Sequence, residues 1–147
     1  MDEQLSKLNP VAEGMLIGRT LVIRKILDEA GINLGDPPFS PDILDRAWEH
    51  VVVYPVDPES REWVIGSFGG LLIEHFRSRF GFKLMELTDE HGPSICLVEM
   101  RTKVQLFPFD TVQRRILEQR SRPFGELFTQ IDNIMAQQGL APSLSPA

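Results

Sequence analysis

One cysteine in 147 residues leaves no disulfide to close within the chain, so a secreted scaffold held by disulfides is excluded. No apolar stretch approaches the ~18 residues that a membrane span needs. The opening, MDEQLSKLNP, carries acids where an export signal carries bases, and it has no apolar centre. The cytoplasm is therefore the expected compartment. The lysine–hydroxyl pair of a phosphate-binding Walker loop is missing, as is any serine in a G-x-S-x-G setting. No internal repeat recurs.

What is present suits one globular domain. Hydrophobic residues make up 42% and charged residues 24%, enough for a single apolar core at this length. That domain is expected over residues 1–138, with 139–147, rich in Pro and Ser, as a disordered tail. The net charge of −6 is uneven: residues 1–62 hold 12 acids and 6 bases, residues 63–147 hold 9 of each. Within residues 101–122 the balance turns basic, through Arg101, Lys103, Arg114, Arg115, Arg120 and Arg122.

Three cap-plus-proline pairs, Asn9-Pro10, Ser40-Pro41 and Asp57-Pro58, start three helices, and Gly31 and Gly81 stop the first and third. Met15, Leu16, Val22, Ile23, Ile26, Leu27 and Ala30 share one broad stripe of the first helix. Ile43, Leu44, Ala47, Trp48, Val51 and Val52 do the same for the second, although VVVY would suit a strand as well. After Gly81 the period becomes that of strands: FKLMELTD and SICLVEM flank a turn at residues 90–93, and TKVQLFP alternates as a strand with one wet face. Asp110 with Gln113 resembles a capping box for a short basic helix. Phe124, Leu127, Phe128, Ile131, Ile134 and Met135 pattern a last helix. The expectation is an α+β fold: three N-terminal helices, a three-stranded antiparallel meander and two C-terminal helices.

The glycines of GSFGG, residues 66–70, fall inside the third helix. Helical N–H groups are already bonded four residues back and cannot cradle a phosphate. Each glycine costs a helix roughly 1 kcal/mol relative to alanine, so a close approach by another helix is expected. Gly14 and Gly18 of the first helix are the matching pair.

From Trp63 to about Met135 the chain resembles a bacterial family known as domain of unknown function three-eight-zero-six. The likeness rests on Gly66 and Gly70 in a helix, Gly81-Phe82 leading a strand, the D-x-x-G turn from Asp89 to Gly92, and Pro108, Val112, Arg114 and Arg115 as P-x-x-x-V-x-R-R. Leu71 and Leu84 stand where that family carries an acid and an aromatic. The resemblance implies a small α+β domain and no established activity.

Chemistry-bearing residues are sparse in pattern. His50, His75 and His91 each follow a glutamate, yet they lie on separate elements without ligand spacing, so no metal is expected. Cys96 sits in an apolar run that keeps a thiol inert. No cofactor and no catalysis are expected. Arg101, Lys103, Arg114 and Arg115 could form a basic face that grips phosphate or carboxylate, with Asp89 and His91 nearby in the hairpin turn. A sequence pI near 5.0 disfavours nucleic acid, and an acidic protein partner fits such a face better. Ile95 to Val98 is apolar on both pleat faces, so either a further helix covers the second face or Cys96, Val98 and Met100 form a patch through which the sheet could pair two copies. The leading expectation is a non-catalytic binding protein of adaptor, immunity or accessory type. The alternative is a small-molecule or anion-binding domain, enzymatic or not, built on the basic patch.

Overall fold

The computed structural model describes residues 4–144 and Pro146. Strand β1 (Gln4–Lys7) comes first, then helices α1 (Pro10–Glu29), α2 (Pro41–Val51) and α3 (Pro58–Phe80). Strands β2 (Lys83–Asp89), β3 (Gly92–Val98) and β4 (Gln105–Leu106) follow, and α4 (Pro108–Leu117) and α5 (Phe124–Gln137) close the fold. The class is α+β, and the sheet is antiparallel in the order β1-β2-β3-β4.

Two details depart from the expected architecture. The sheet has four strands, because Gln4–Lys7 pairs with Thr88 through Met85, so the three helices lie between β1 and β2 and are not N-terminal. β1 is four residues long and exposed throughout, which leaves no alternation to read. The third expected strand shrinks to Gln105–Leu106, since residues 99–103 are spent on a turn. There the buried Glu99 carboxylate accepts the Arg101 and Thr102 N–H groups, each at 2.9 Å, and Lys103 adopts φ +64°.

The helix starts follow the proline signals. Asn9 accepts from Val11 N–H at 2.8 Å and Asp57 from Ser60 N–H at 2.9 Å. Gly81, at φ +74°, ends α3 in the left-handed conformation that glycine takes without strain. α4 corrects the expected capping box: it begins at Pro108 with Phe107 as N-cap, and Asp110 lies within its first turn. The VVVY run likewise leaves the helix after Val51. α5 begins after Pro123, and its cap comes from α2, where the Asp45 carboxylate accepts Phe124 N–H at 2.8 Å. Arg122 fastens the same junction to Asp42 at 2.7 Å and Glu49 at 3.1 Å, while Trp48 and Tyr54 both donate to the Arg120 carbonyl.

α3 is the axis of the molecule. Every residue from Gly66 through Ile73 is buried, so it is apolar on all sides rather than on one stripe. The glycines admit neighbours on two of those sides. A Cβ at Gly70 would lie 2.5 Å from Thr20 Cγ2 on α1, and one at Gly69 would strike the Phe109 ring of α4. The atoms nearest a Cβ at Gly66 belong to the flexible Arg19 side chain. The expected pairing with Gly14 and Gly18 does not occur: a Cβ at either meets nothing within 4 Å. Thr20 does the packing that they were expected to do.

At the α3 end of the core, His75 is fully buried. Its Nδ1 accepts Phe39 N–H at 2.9 Å, and its ring stacks on Phe128 with centroids 3.9 Å apart. Trp48, Phe68 and Phe124 extend this aromatic layer between α2, α3 and α5. The sheet lays Leu84, Leu97 and Leu106 on the same core. Its other face carries a smaller cluster of Leu87, Cys96 and Val98, flanked by Met85 and Phe107. Cys96 and Val98 are thus buried, while Met100 is exposed. Of the segment 139–147, Leu140 packs against the core and the Leu144 carbonyl accepts from Arg79 at 3.0 Å; Ser145 and Ala147 lie outside the described residues.

Overpacking of a tight contact costs about 1–3 kcal/mol, so Gly70→Ala is expected to lower unfolding free energy despite alanine's better helix propensity. Gly70→Leu should lower it further, and Gly66→Ala should be neutral or mildly stabilising because Arg19 can swing aside. Urea denaturation of the three variants checks the order. A second expectation concerns His75, which burial and the nearby Arg79 charge push down from 6.5 to about 3. The unfolded chain then binds a proton that the folded chain refuses. Stability from this group is complete above pH 6.5 and falls by about 1.4 kcal/mol per pH unit below it. His75→Gln, which keeps an acceptor for Phe39 N–H, should flatten that slope in denaturation midpoints measured from pH 7 to 4.

Candidate functional site

The basic patch expected from the sequence does not assemble into one site. β3 separates the Asp89–His91 turn from the Arg101–Lys103 turn, and its seven residues put them roughly 20 Å apart at opposite ends of the hairpin. Asp89 is engaged locally, its carboxylate accepting His91 N–H at 2.8 Å, and the His91 side chain is exposed beside Glu90. Arg101 pairs with Glu99 at 3.4 Å. Glu99 is desolvated, which alone would raise its pKa, but the N–H donors of Thr102 and Arg101 and the Arg101 guanidinium outweigh this and hold it below the ordinary value. Arg115 is mostly buried and pairs with Glu118 at 3.4 Å. Lys103 and Arg114 are exposed and make no ion pair among the described residues. Two of the four bases are thus held by carboxylates.

The other chemical candidates resolve into packing. Burial raises the Cys96 thiol pKa, which keeps it protonated and unreactive. His50, His75 and His91 stand on α2, on α3 and in the β2–β3 turn. Among the described residues no group of three His, Cys, Asp or Glu is placed to hold a metal ion. Nor is any helix among them long and apolar enough to cross a membrane.

Two surface features remain. The larger is the outer face of α1. The buried side of this helix is narrow: Thr20, Ile23 and Leu27, with Leu16 half-buried, pack chiefly against α3. At 100° per residue, Val11, Met15, Ile17, Leu21, Val22 and Ile26 cover the opposite half of the cylinder. All six are exposed, from 39% for Ile26 to 73% for Val11. Gly14 and Gly18 lie among them, and both are exposed. Met15, Val22 and Ile26 therefore do not belong to the core stripe to which the sequence assigned them. The signal available in the sequence was the apolar trio Val11, Ile17 and Leu21, which falls off that stripe and gives the helix more apolar surface than one core contact can cover.

The second feature is a groove of about 650 Å³ where β1, the start of α1, the end of α3 and β2 meet. Lys7, Arg77 and Lys83 border it, and Leu84, Met85 and Met100 contribute apolar surface. Its acid, Glu13, lies 3.8 Å from Arg77. None of these bases was among the expected site residues, because the sequence spreads them over 76 positions and only pairing of β1 with β2 brings them together. No family model matches the chain, and neither does any curated protein or any solved structure.

Proposed function

We propose that this chain is a non-catalytic binding protein of the bacterial cytoplasm that works through a protein partner, and that the partner docks on the outer face of α1. The observation that carries this reading is the half-cylinder of six large apolar side chains left outside the core. Soluble monomers rarely expose contiguous apolar patches of more than a few hundred Å² without a use for them. Asp45 and the Nδ1 of His75 are engaged in the fold, as the α5 cap and as the acceptor of Phe39 N–H. The resemblance of residues 63–135 to domain of unknown function three-eight-zero-six adds no activity to this reading.

Affinity capture from native lysate, read by mass spectrometry, tests it. Wild-type chain should retain a specific protein that Val22→Glu releases, since a charge on this face opposes desolvation of the contact while leaving the monomer's core untouched. Equal retention by both would remove α1 from the interface.

A second reading has its own observation. The groove bordered by Lys7, Arg77 and Lys83 favours a small amphipathic anion, with its apolar body on Leu84, Met85 and Met100 and its charge among the three bases. It takes the place of the Arg114–Arg115 patch as the anion-binding alternative. Decanoate in excess should then raise the melting temperature, and Lys83→Glu should abolish the rise. An unchanged melt in wild type counts against it.

A further inference from the structure

Building on the reading of α1 as the working surface, we infer that its occupant is a second copy of this chain, the two α1 helices crossing antiparallel on a two-fold axis at Gly18. Area, shape and charge each select a second copy. Six side chains exposed between 39% and 73% present on the order of 600 Å², so two such faces offer at most roughly 1,200 Å², at the low end for a specific interface. The alternative pairing edge, β1, offers four residues of which Leu5 is the single large apolar one.

Shape places the axis. Gly18 sits near the midpoint of a helix running from Pro10 to Glu29. An axis there sets Gly14 against the other copy's Val22 and Met15 against its Leu21. Each exposed glycine thus faces either its own symmetry mate or a β-branched side chain, and with no Cβ the two backbones can close to the short end of helix–helix separations. Among the described residues nothing comes within 4 Å of a Cβ at either glycine. A contact in which one patch meets itself is the isologous arrangement of two-fold dimers.

Charge on this face gathers toward the C-terminal end, while Arg19, beside the axis, lays its side chain against Gly66 of α3. Across an antiparallel crossing, Asp28 and Glu29 approach the first turn of the other copy's α1, where free N–H groups are electropositive and Lys7 stands nearby. Lys25 comes opposite Val11, over which its aliphatic stem can lie with the ammonium in water. Among the described residues, Lys7, Lys25, Asp28 and Glu29 make no ion pair within the monomer.

Sedimentation velocity on the full chain at tens of micromolar tests the inference. Wild type should be a dimer. Val22→Glu and Gly18→Leu should each raise the dimer dissociation constant by about tenfold or more, with far-UV circular dichroism unchanged because both positions are exposed. Gly18→Cys should form a disulfide-linked dimer under mild oxidation far faster than Gly14→Cys, since only a residue at the axis meets its own copy. A monomeric wild type, or a dimer that Val22→Glu leaves intact, overturns the inference. If that monomeric chain still captures a different protein through α1, the dimer falls and the proposed function stands; if it captures none, both fall.

Discussion

The fold depends on how closely other elements can approach α3. Gly69 and Gly70 give up two side chains, and into that space come the Phe109 ring of α4 and the Thr20 methyl of α1. The two contacts fix the helices on either side of the axis at distances that side chains would forbid. α2 and α5 are then placed by rings, through Trp48 and Phe124 edge-on to each other, Phe68 against both, and His75 stacked on Phe128. The sheet is set against this assembly by Leu84, Leu97 and Leu106. Close packing of this kind is sensitive to single methyl groups.

A helix that meets the core along a narrow seam has most of its circumference left over. That is the situation of α1: Thr20, Ile23 and Leu27 are buried, and the remaining surface carries six exposed large apolar side chains among its charges. Two glycines in a helix interior are unfavourable in themselves, and at Gly14 and Gly18 no close contact among the described residues offsets them. GSFGG and Gly14/Gly18 thus have one chemistry and two addresses, one within the core and one on the surface.

Much of the fold was legible in the sequence because prolines and glycines mark boundaries by backbone geometry alone. Asn9-Pro10, Ser40-Pro41, Asp57-Pro58 and Gly81 all mark helix ends where expected. The two-strand hairpin followed from its alternation and its turn. β1 was invisible, since four exposed residues with a single large hydrophobe carry no pattern, and its pairing partner lies some eighty positions away. The helix contact through GSFGG was legible as an event but not as a pair, because Gly14, Gly18, Leu16 and Thr20 all share one helix and periodicity cannot say which side meets α3. The basic residues failed as a site for a related reason. Closeness in sequence put Asp89 with Arg101, and an intervening extended strand carried them apart.

Asp45 reaches the first turn of α5 from 79 positions earlier in the chain. A cap normally comes from the residue just before its helix, so that a helix can nucleate from local chain alone. Here Pro123 holds that place and brings no side-chain acceptor. α5 therefore completes its opening turn only once α2 has docked, and Arg122 bridging Asp42 and Glu49 locks the two in the same step. The first-turn amides of α5 should therefore gain exchange protection only while α2 is docked, tying the opening of that turn to the α2 contact.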